Sequence, residues 1–197
     1  MKDGAAVLEF RWHNEQEREW AQTTFTEQCK LVSDAEKWAS IAELAEKAGV
    51  EIPQSPPPRY APMSWDDVRR CERMEMTFGP HTVTHPVLSR VTSGQAVQEI
   101  TESWARLTVE ARNPVPVFCY PNGGWDDFGA REIAVLREGG FLGAVVGEPG
   151  YADARAFRYS QDDRFRVQRF DFPDDLSHMI QYVSGVERIK QVLRRVR

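Results

Sequence analysis

The stretch VPVFCYPNGGWDDFGAREIAVLREGGFLGAVV, residues 115–146, decides the fold class. It contains an apolar run at Val115–Tyr120, a helical pattern at Gly129–Glu138 and a second apolar run at Phe141–Val146. A helix between two short apolar runs is typical of parallel strands, because a parallel crossover needs a connection of a dozen or more residues. The stretch therefore predicts a β-α-β unit.

Outward from this unit, the sequence predicts two more strands, at Glu75–Gly79 and Phe165–Phe172. Capping residues predict helices that begin after Ser33, Ser64 and Thr92, and two amphipathic helices close the chain. On the helix after Thr92, the residues predicted to face inward are Ala96, Val97, Ile100, Trp104 and Leu107. Alternating strands and helices indicate an α/β fold with a parallel sheet, and four strands are few for a closed barrel.

A proline-rich stretch, PQSPPP at residues 53–58, gives the clearest boundary in the chain. Such a sequence continues neither a helix nor a central strand. We therefore predict a helical segment at residues 1–52, a connector at 53–62 and an α/β domain at 63–197.

Composition excludes several classes of protein. Hydrophobic residues make up 41% and charged residues 28% of 197, as in ordinary globular domains. No apolar run approaches the ~20 residues that span a bilayer, and the first residues lack the pattern of a signal peptide. A cytoplasmic protein without a membrane partner is therefore expected. The net charge is −5, and residues 52–186 show no basic stripe, so no nucleic-acid partner is expected.

Two of the four histidines lie in GPHTVTHP, residues 79–86, directly after a predicted strand. Active sites of α/β folds gather at the carboxyl ends of strands. Imidazoles four residues apart, His81 and His85, can converge on one divalent ion when the chain between them turns. The spacing alone also fits surface histidines or hydrogen-bonded core histidines.

A second group of candidate residues follows the next strand, in FCYPNGGWDD, residues 118–127. The Pro-Asn-Gly-Gly turn can direct backbone N–H groups into a cleft, where they can hold a developing oxyanion. The alternative is an ordinary turn in which Asp126 or Asp127 caps the following helix.

The two motifs in this order resemble the polysaccharide deacetylase (NodB-homology) family over residues 62–150. The resemblance implies a deformed (β/α) barrel. It also implies a hydrolase of non-peptide C–N bonds that removes acetyl groups from sugars. This hydrolase uses a divalent metal ion, and zinc is the first candidate. The resemblance makes His81 and His85 metal ligands and the Asn122 backbone N–H an oxyanion donor. Tyr120 and Trp125 are the candidates for carbohydrate binding.

The sequence differs from the family pattern in three places. The T-F-D-D-G motif, which supplies an aspartate base and an aspartate ligand, does not occur in the 197 residues. Cys119 stands where many members carry arginine, and Leu176-Ser177-His178 corresponds only weakly to the late L-x-H motif. The resemblance is therefore to the C-terminal part of a deacetylase domain, with residues 1–52 similar to the helical insertion of some members. We expect an incomplete barrel, whose open sheet edge invites self-association.

Two alternative functions remain open from the sequence. The first is an inactive remnant, or a protein that binds a glycan or a partner through the same cleft. Trp65, Trp104 and Trp125 can stack on sugar rings, although Trp104 is predicted to lie in the core. The second is a different metal hydrolase, completed by Asp126, Asp127 or an acid at residues 161–163.

Overall fold

The computed structural model describes residues 10–153, 155, 160 and 162–195, with side chains as far as residue 190. Residues 1–9 of the predicted helical segment and residue 161 of the alternative acidic loop lie outside this part. The chain forms two compact units that divide between Tyr60 and Ala61.

The described residues of the first unit form two α-helices, α1 (Glu15–Lys30) and α2 (Asp34–Ala48), and a short 3-10 helix at Pro58–Tyr60. Ser33 and Glu36 form the predicted capping box, in which each side chain accepts a hydrogen bond from the backbone of the other residue. α2 ends at Gly49, whose φ of 64° is the left-handed conformation that glycine adopts most easily. The capping signals therefore located α2 correctly.

Besides two short 3-10 helices, Leu88–Arg90 and Asp163–Phe165, the described residues of the second unit form five α-helices and two short strands. In chain order they are α3 (Trp65–Glu72), α4 (Ser93–Glu110), β1 (Val117–Cys119), α5 (Ala130–Glu138), β2 (Gly143–Val145), α6 (Leu176–Ser184) and α7 (Val186–Arg195). Ser64 and Thr92 cap α3 and α4, as predicted. None of the helices in the described part of the chain combines the length and apolarity needed to cross a bilayer.

β1 and β2 pair in parallel, with Val117 opposite Gly143 and Cys119 opposite Val145. α5 is the crossover between them, so the predicted β-α-β unit is confirmed. Val167 continues the sheet beyond β2, because its N–H donates to Ala144 O and its carbonyl accepts from Val146 N–H, each at 3.0 Å. The predicted fourth strand, Phe165–Phe172, thus makes an isolated bridge to β2 and no regular strand.

The predicted first strand also lies beside the sheet without forming a regular ladder. The carbonyl of Phe78 accepts from Val115 N–H at 2.8 Å, and that of Pro80 accepts from Cys119 N–H at 3.0 Å. Between these bonds the N–H of Val117 turns back to Val115 O, and Pro80 has no N–H to donate. The segment is therefore parallel to β1 but joined to it at two points.

The main core lies between this small sheet and helices α4 and α5. It includes the fully buried residues Leu88, Ala96, Ile100, Phe118, Tyr120, Leu136, Ala144 and Val146. On α4 the predicted inner face is correct for Ala96, Ile100 and Leu107, while Trp104 is partly buried. Val97 is 42% exposed, so that prediction was wrong.

Taken together, the second unit is α-rich and has a small parallel sheet. The incomplete deformed barrel that the resemblance implied is a more specific architecture, which the structure does not confirm in detail. Self-association through an open sheet edge stays a prediction.

Candidate functional site

The loop that carries the two histidines begins where the Phe78–Pro80 segment ends beside β1. This segment and β1 run in the same direction, so their carboxyl ends lie at the same edge of the sheet. Gly79 permits the close approach, since a Cβ atom there would lie 2.2 Å from the carbonyl oxygen of Val117. His81 and the turn after β1 therefore share one edge, as expected for an α/β site.

The imidazole rings of His81 and His85 lie next to each other. Their centroids are 4.8 Å apart and their planes are inclined at 78°. Two nitrogens bound to one zinc ion at ~2.1 Å and a tetrahedral angle lie roughly 3–4 Å apart, which this ring arrangement accommodates. The four-residue spacing thus brings the two predicted ligands together.

The His81 ring is oriented by β1. Its Nδ1 lies 2.7 Å from the carbonyl oxygen of Cys119. A carbonyl can only accept, so Nδ1 carries the proton and Nε2 is the nitrogen left to coordinate an ion, as is usual for histidine ligands. The pKa of the His81 imidazole is raised, first by its interaction with the Cys119 side chain and then by its hydrogen bond with the Cys119 backbone. Burial of the ring acts in the opposite direction. Proton and metal ion would compete for this ring.

Three residues of the site have left-handed backbone conformations without being glycine. The φ angles are 64° at Thr82, 59° at His85 and 57° at Asn122. For a β-branched residue such as Thr82 this conformation is a genuine outlier. Such strain persists only where surrounding contacts enforce it, and it concentrates at functional sites.

The turn after β1 is tightly held. The N–H of Gly147 donates to Gly123 O at 2.8 Å, and a Cβ atom at Gly147 would lie 2.1 Å from Asn122 O. The carboxylate of Asp127 accepts from Gly124 N–H at 2.8 Å. Asp127 therefore closes this turn and does not cap α5, whose N-cap is Gly129. Asn122 itself is exposed.

The two candidate sugar-binding residues differ in exposure. The Tyr120 side chain is 1% exposed and stacks on Phe128, with centroids 3.8 Å apart. It offers almost no surface to a sugar ring. Trp125 is 48% exposed, and its ring lies 6.5 Å from that of Phe128 at an inclination of 47°.

Two other candidate side chains, those of His178 and Asp162, have structural partners. His178 lies in the first turn of α6, where its ring and its N–H both contact the capping Asp175. Asp162 pairs with Arg137 at 3.4 Å. Among the described residues, no group of three or more His, Cys, Asp and Glu side chains is arranged to hold a metal ion. The described residues thus supply two of the three or more protein ligands that a zinc site normally has.

Sequence reasoning missed Glu99, which α4 brings to the histidine loop. Its Oε2 accepts from the N–H groups of Val83 and Thr84 at 2.7 and 2.9 Å, and its Oε1 accepts from the Thr84 hydroxyl at 2.6 Å. The only sequence signal was its position next to the predicted inner face of α4. Nothing in a linear motif relates residue 99 to residues 83 and 84.

Comparison with known proteins extends these observations. The family model described as polysaccharide deacetylase matches residues 18–136, which begins further upstream than the resemblance noted above. No curated protein sequence matches the chain significantly.

Among solved structures, the chain is similar to the Streptococcus pyogenes deacetylase PplD in complex with acetate. The TM-score is 0.51 at 18% identity, over 59% of this chain and 48% of that chain. The similarity at this identity concerns the fold alone, and the chain spans about half the length of that protein.

The family match covers well over half of the chain and includes the His81–His85 loop and the turn after β1. The resemblance inferred from these two motifs is thereby confirmed. The chain belongs to the polysaccharide deacetylase family.

Proposed function

We propose that this chain carries the metal-binding and oxyanion-binding part of a carbohydrate deacetylase site, and that its substrate is a sugar bearing an N-acetyl or O-acetyl group. Family membership supports the hydrolase class and the carbohydrate substrate. The observation that carries the proposal is the His81–His85 ring pair, with His81 oriented by the Cys119 carbonyl.

His81 and His85 would hold a divalent ion, zinc in first place, because imidazole nitrogens suit that ion. A divalent ion here supplies Lewis acidity at the acetyl carbonyl. The described residues contribute two imidazoles and no third side chain, so we expect weak binding. Zinc sites normally have at least three protein ligands.

The other residues of the site would act on the substrate directly. The backbone N–H of Asn122 would donate to the acetyl oxygen as negative charge develops there, a role worth about 10²–10³-fold in rate where it has been measured. The exposed ring of Trp125 would stack on a sugar ring next to the acetylated one.

Metal binding tests the histidine pair. Zinc binding by the 197-residue chain, measured by calorimetry, is expected to be lost in His81→Ala and in His85→Ala. His13→Ala, an exposed histidine of the first unit, is the matched control and should bind as the parent chain does. Equal affinity in all four proteins would refute the assignment of the two ligands.

Acetate release tests the missing part of the site. The bare chain with zinc or cobalt should release little acetate from acetylated chito-oligosaccharides, because a general base contributes about 10²–10⁴-fold. Fusing a segment that contains T-F-D-D-G should raise the rate, and His81→Ala should then abolish it. Metal-dependent release by the bare chain, lost in His81→Ala, would show that a carboxylate of this chain already completes the site.

A second candidate function is glycan binding without catalysis. It is favoured by the half-exposed ring of Trp125 and by the presence of only two proposed metal ligands among the described residues. Binding of an acetylated oligosaccharide would then persist in a chelator and in His81→Ala, and would fall in Trp125→Ala. Loss of binding on chelation would instead favour the metal-dependent enzyme.

A further inference from the structure

We propose that Glu99 is a positioning residue, which holds the loop between His81 and His85 so that the two imidazoles face one another. This inference rests on the proposed function for its purpose, since the ring pair is the proposed metal site. Glu99 belongs to α4, whereas both rings belong to the loop after the Phe78–Pro80 segment. The role therefore joins two separate elements of the second unit.

The first support is the number and direction of the contacts. The Glu99 carboxylate accepts three hydrogen bonds, at 2.6–2.9 Å, and all three donors belong to Val83 and Thr84. Hydrogen bonds with a charged acceptor are stronger than those between neutral groups. Two of the three residues between the histidines are thus fixed by one side chain.

The second support is the backbone strain in the same loop. Thr82 and His85, on either side of the held residues, have φ angles of 64° and 59°. A loop with two such residues would relax to ordinary conformations unless outside contacts prevented it. The Thr82 hydroxyl makes two contacts inside the loop, because it accepts from the N–H of His85 at 3.2 Å and donates to the carbonyl oxygen of His81 at 2.5 Å. Glu99 supplies three contacts from outside the loop.

The third support is the rigidity of the anchor. Glu99 lies on α4 between Ala96 and Ile100, which are both 0% exposed in the core, and the Thr92–Gln95 capping box fixes the start of the helix. The carboxylate therefore projects from a helix that cannot easily move. Residues supporting metal-binding histidines in this way typically affect metal affinity by about 10–100-fold.

Glu99 is not itself the missing ligand. Both of its oxygens are engaged by the loop, and within the described residues no set of three candidate ligand side chains comes together. A ligand would have to give up these hydrogen bonds. Glu99 therefore binds the loop, and the two imidazoles are the proposed metal ligands.

The test compares Glu99→Gln with Glu102→Gln. An amide at position 99 has one acceptor oxygen and no charge, and its NH₂ group can pair with the Thr84 hydroxyl only if that hydroxyl turns to accept, so the charge-assisted bonds are lost. Glu102 lies on the same helix, is exposed and accepts a hydrogen bond from the Gln98 side chain at 2.9 Å, so its substitution removes the same charge without touching the loop. Zinc affinity, the visible absorption of bound cobalt and the melting temperature are measured for the parent chain and both variants.

Glu99→Gln should bind zinc about 10–100-fold more weakly and alter the cobalt spectrum, with a melting temperature close to that of the parent chain. Glu102→Gln should match the parent in every measurement. Unchanged zinc affinity and an unchanged cobalt spectrum in Glu99→Gln would overturn the proposal, as would an equal loss in Glu102→Gln.

A metal-free measurement separates this proposal from the proposed function. The ring NMR signals of His81 and His85, and the amide signals of Val83 and Thr84, should shift in Glu99→Gln and stay in place in Glu102→Gln. If the parent chain binds no ion but these shifts occur, the metal function fails and the positioning role stands. If the signals do not move, the positioning role fails whatever the metal result.

Discussion

Replacing Gly79 by alanine tests the contact that brings the histidine loop to the sheet. The new Cβ would lie 2.2 Å from Val117 O, more than 1 Å short of the 3.4 Å at which ordinary contact begins. The clashing atom belongs to the backbone of β1, so the Phe78–Pro80 segment must move away. Its two hydrogen bonds, from Val115 and Cys119, contribute about 1 kcal/mol each. With about 1–3 kcal/mol for overpacking, we expect a loss of about 3–5 kcal/mol of stability.

The loss is measured as the free energy of unfolding in urea, followed by circular dichroism. Gly94→Ala is the matched control, because a Cβ atom there meets nothing within 4 Å and the residue lies in α4. Removing a glycine from a helix should leave stability unchanged or raise it by up to about 1 kcal/mol. Zinc affinity should also fall in Gly79→Ala, because moving the segment breaks the bond between His81 and Cys119 O. A free energy of unfolding within about 0.5 kcal/mol of the parent value would refute the reasoning.

Two further substitutions test the core beneath the site. Tyr120→Phe should leave the free energy of unfolding unchanged or raise it by about 1 kcal/mol, because the buried hydroxyl has no hydrogen-bond partner among the described residues. A clear loss of stability in a urea titration would mean that the hydroxyl is hydrogen-bonded. Leu88→Ala should cost about 2–5 kcal/mol in the same titration, because Leu88 is 0% exposed, whereas Val97→Ala at an exposed position of α4 should cost less than about 0.5 kcal/mol. Similar losses for these two variants would contradict the described core.

Helix boundaries could be predicted from the sequence because they depend on local contacts. The pairs Ser33–Glu36 and Thr92–Gln95 lie three residues apart, and each forms the expected box. Strand extents depend on distant partners and were predicted less well. Pro80 and Pro116 carry no N–H. The Phe78–Pro80 segment is therefore hydrogen-bonded at only two points to the chain that contains β1, and it forms no regular ladder. Val97 was misplaced because its position on α4 borders the buried face.

The candidate site was predictable where one motif contains all the interacting residues. His81 and His85 lie four residues apart, and their convergence follows from a single turn. Glu99 could not be found in this way, because its relation to the loop depends on how α4 packs. The burial of Tyr120 has the same origin, since the direction of its side chain is set by Phe128 and the core around it.

The bond between the His81 ring and the Cys119 carbonyl has an evolutionary consequence. A main-chain acceptor is present whatever amino acid occupies position 119, so mutation there exchanges the side chain and leaves the support of the histidine in place. A lineage can therefore replace an arginine at this position by cysteine while the imidazole pair keeps its arrangement. The side chain at position 119 can therefore change the pKa of His81 while the main chain keeps the orientation of its ring.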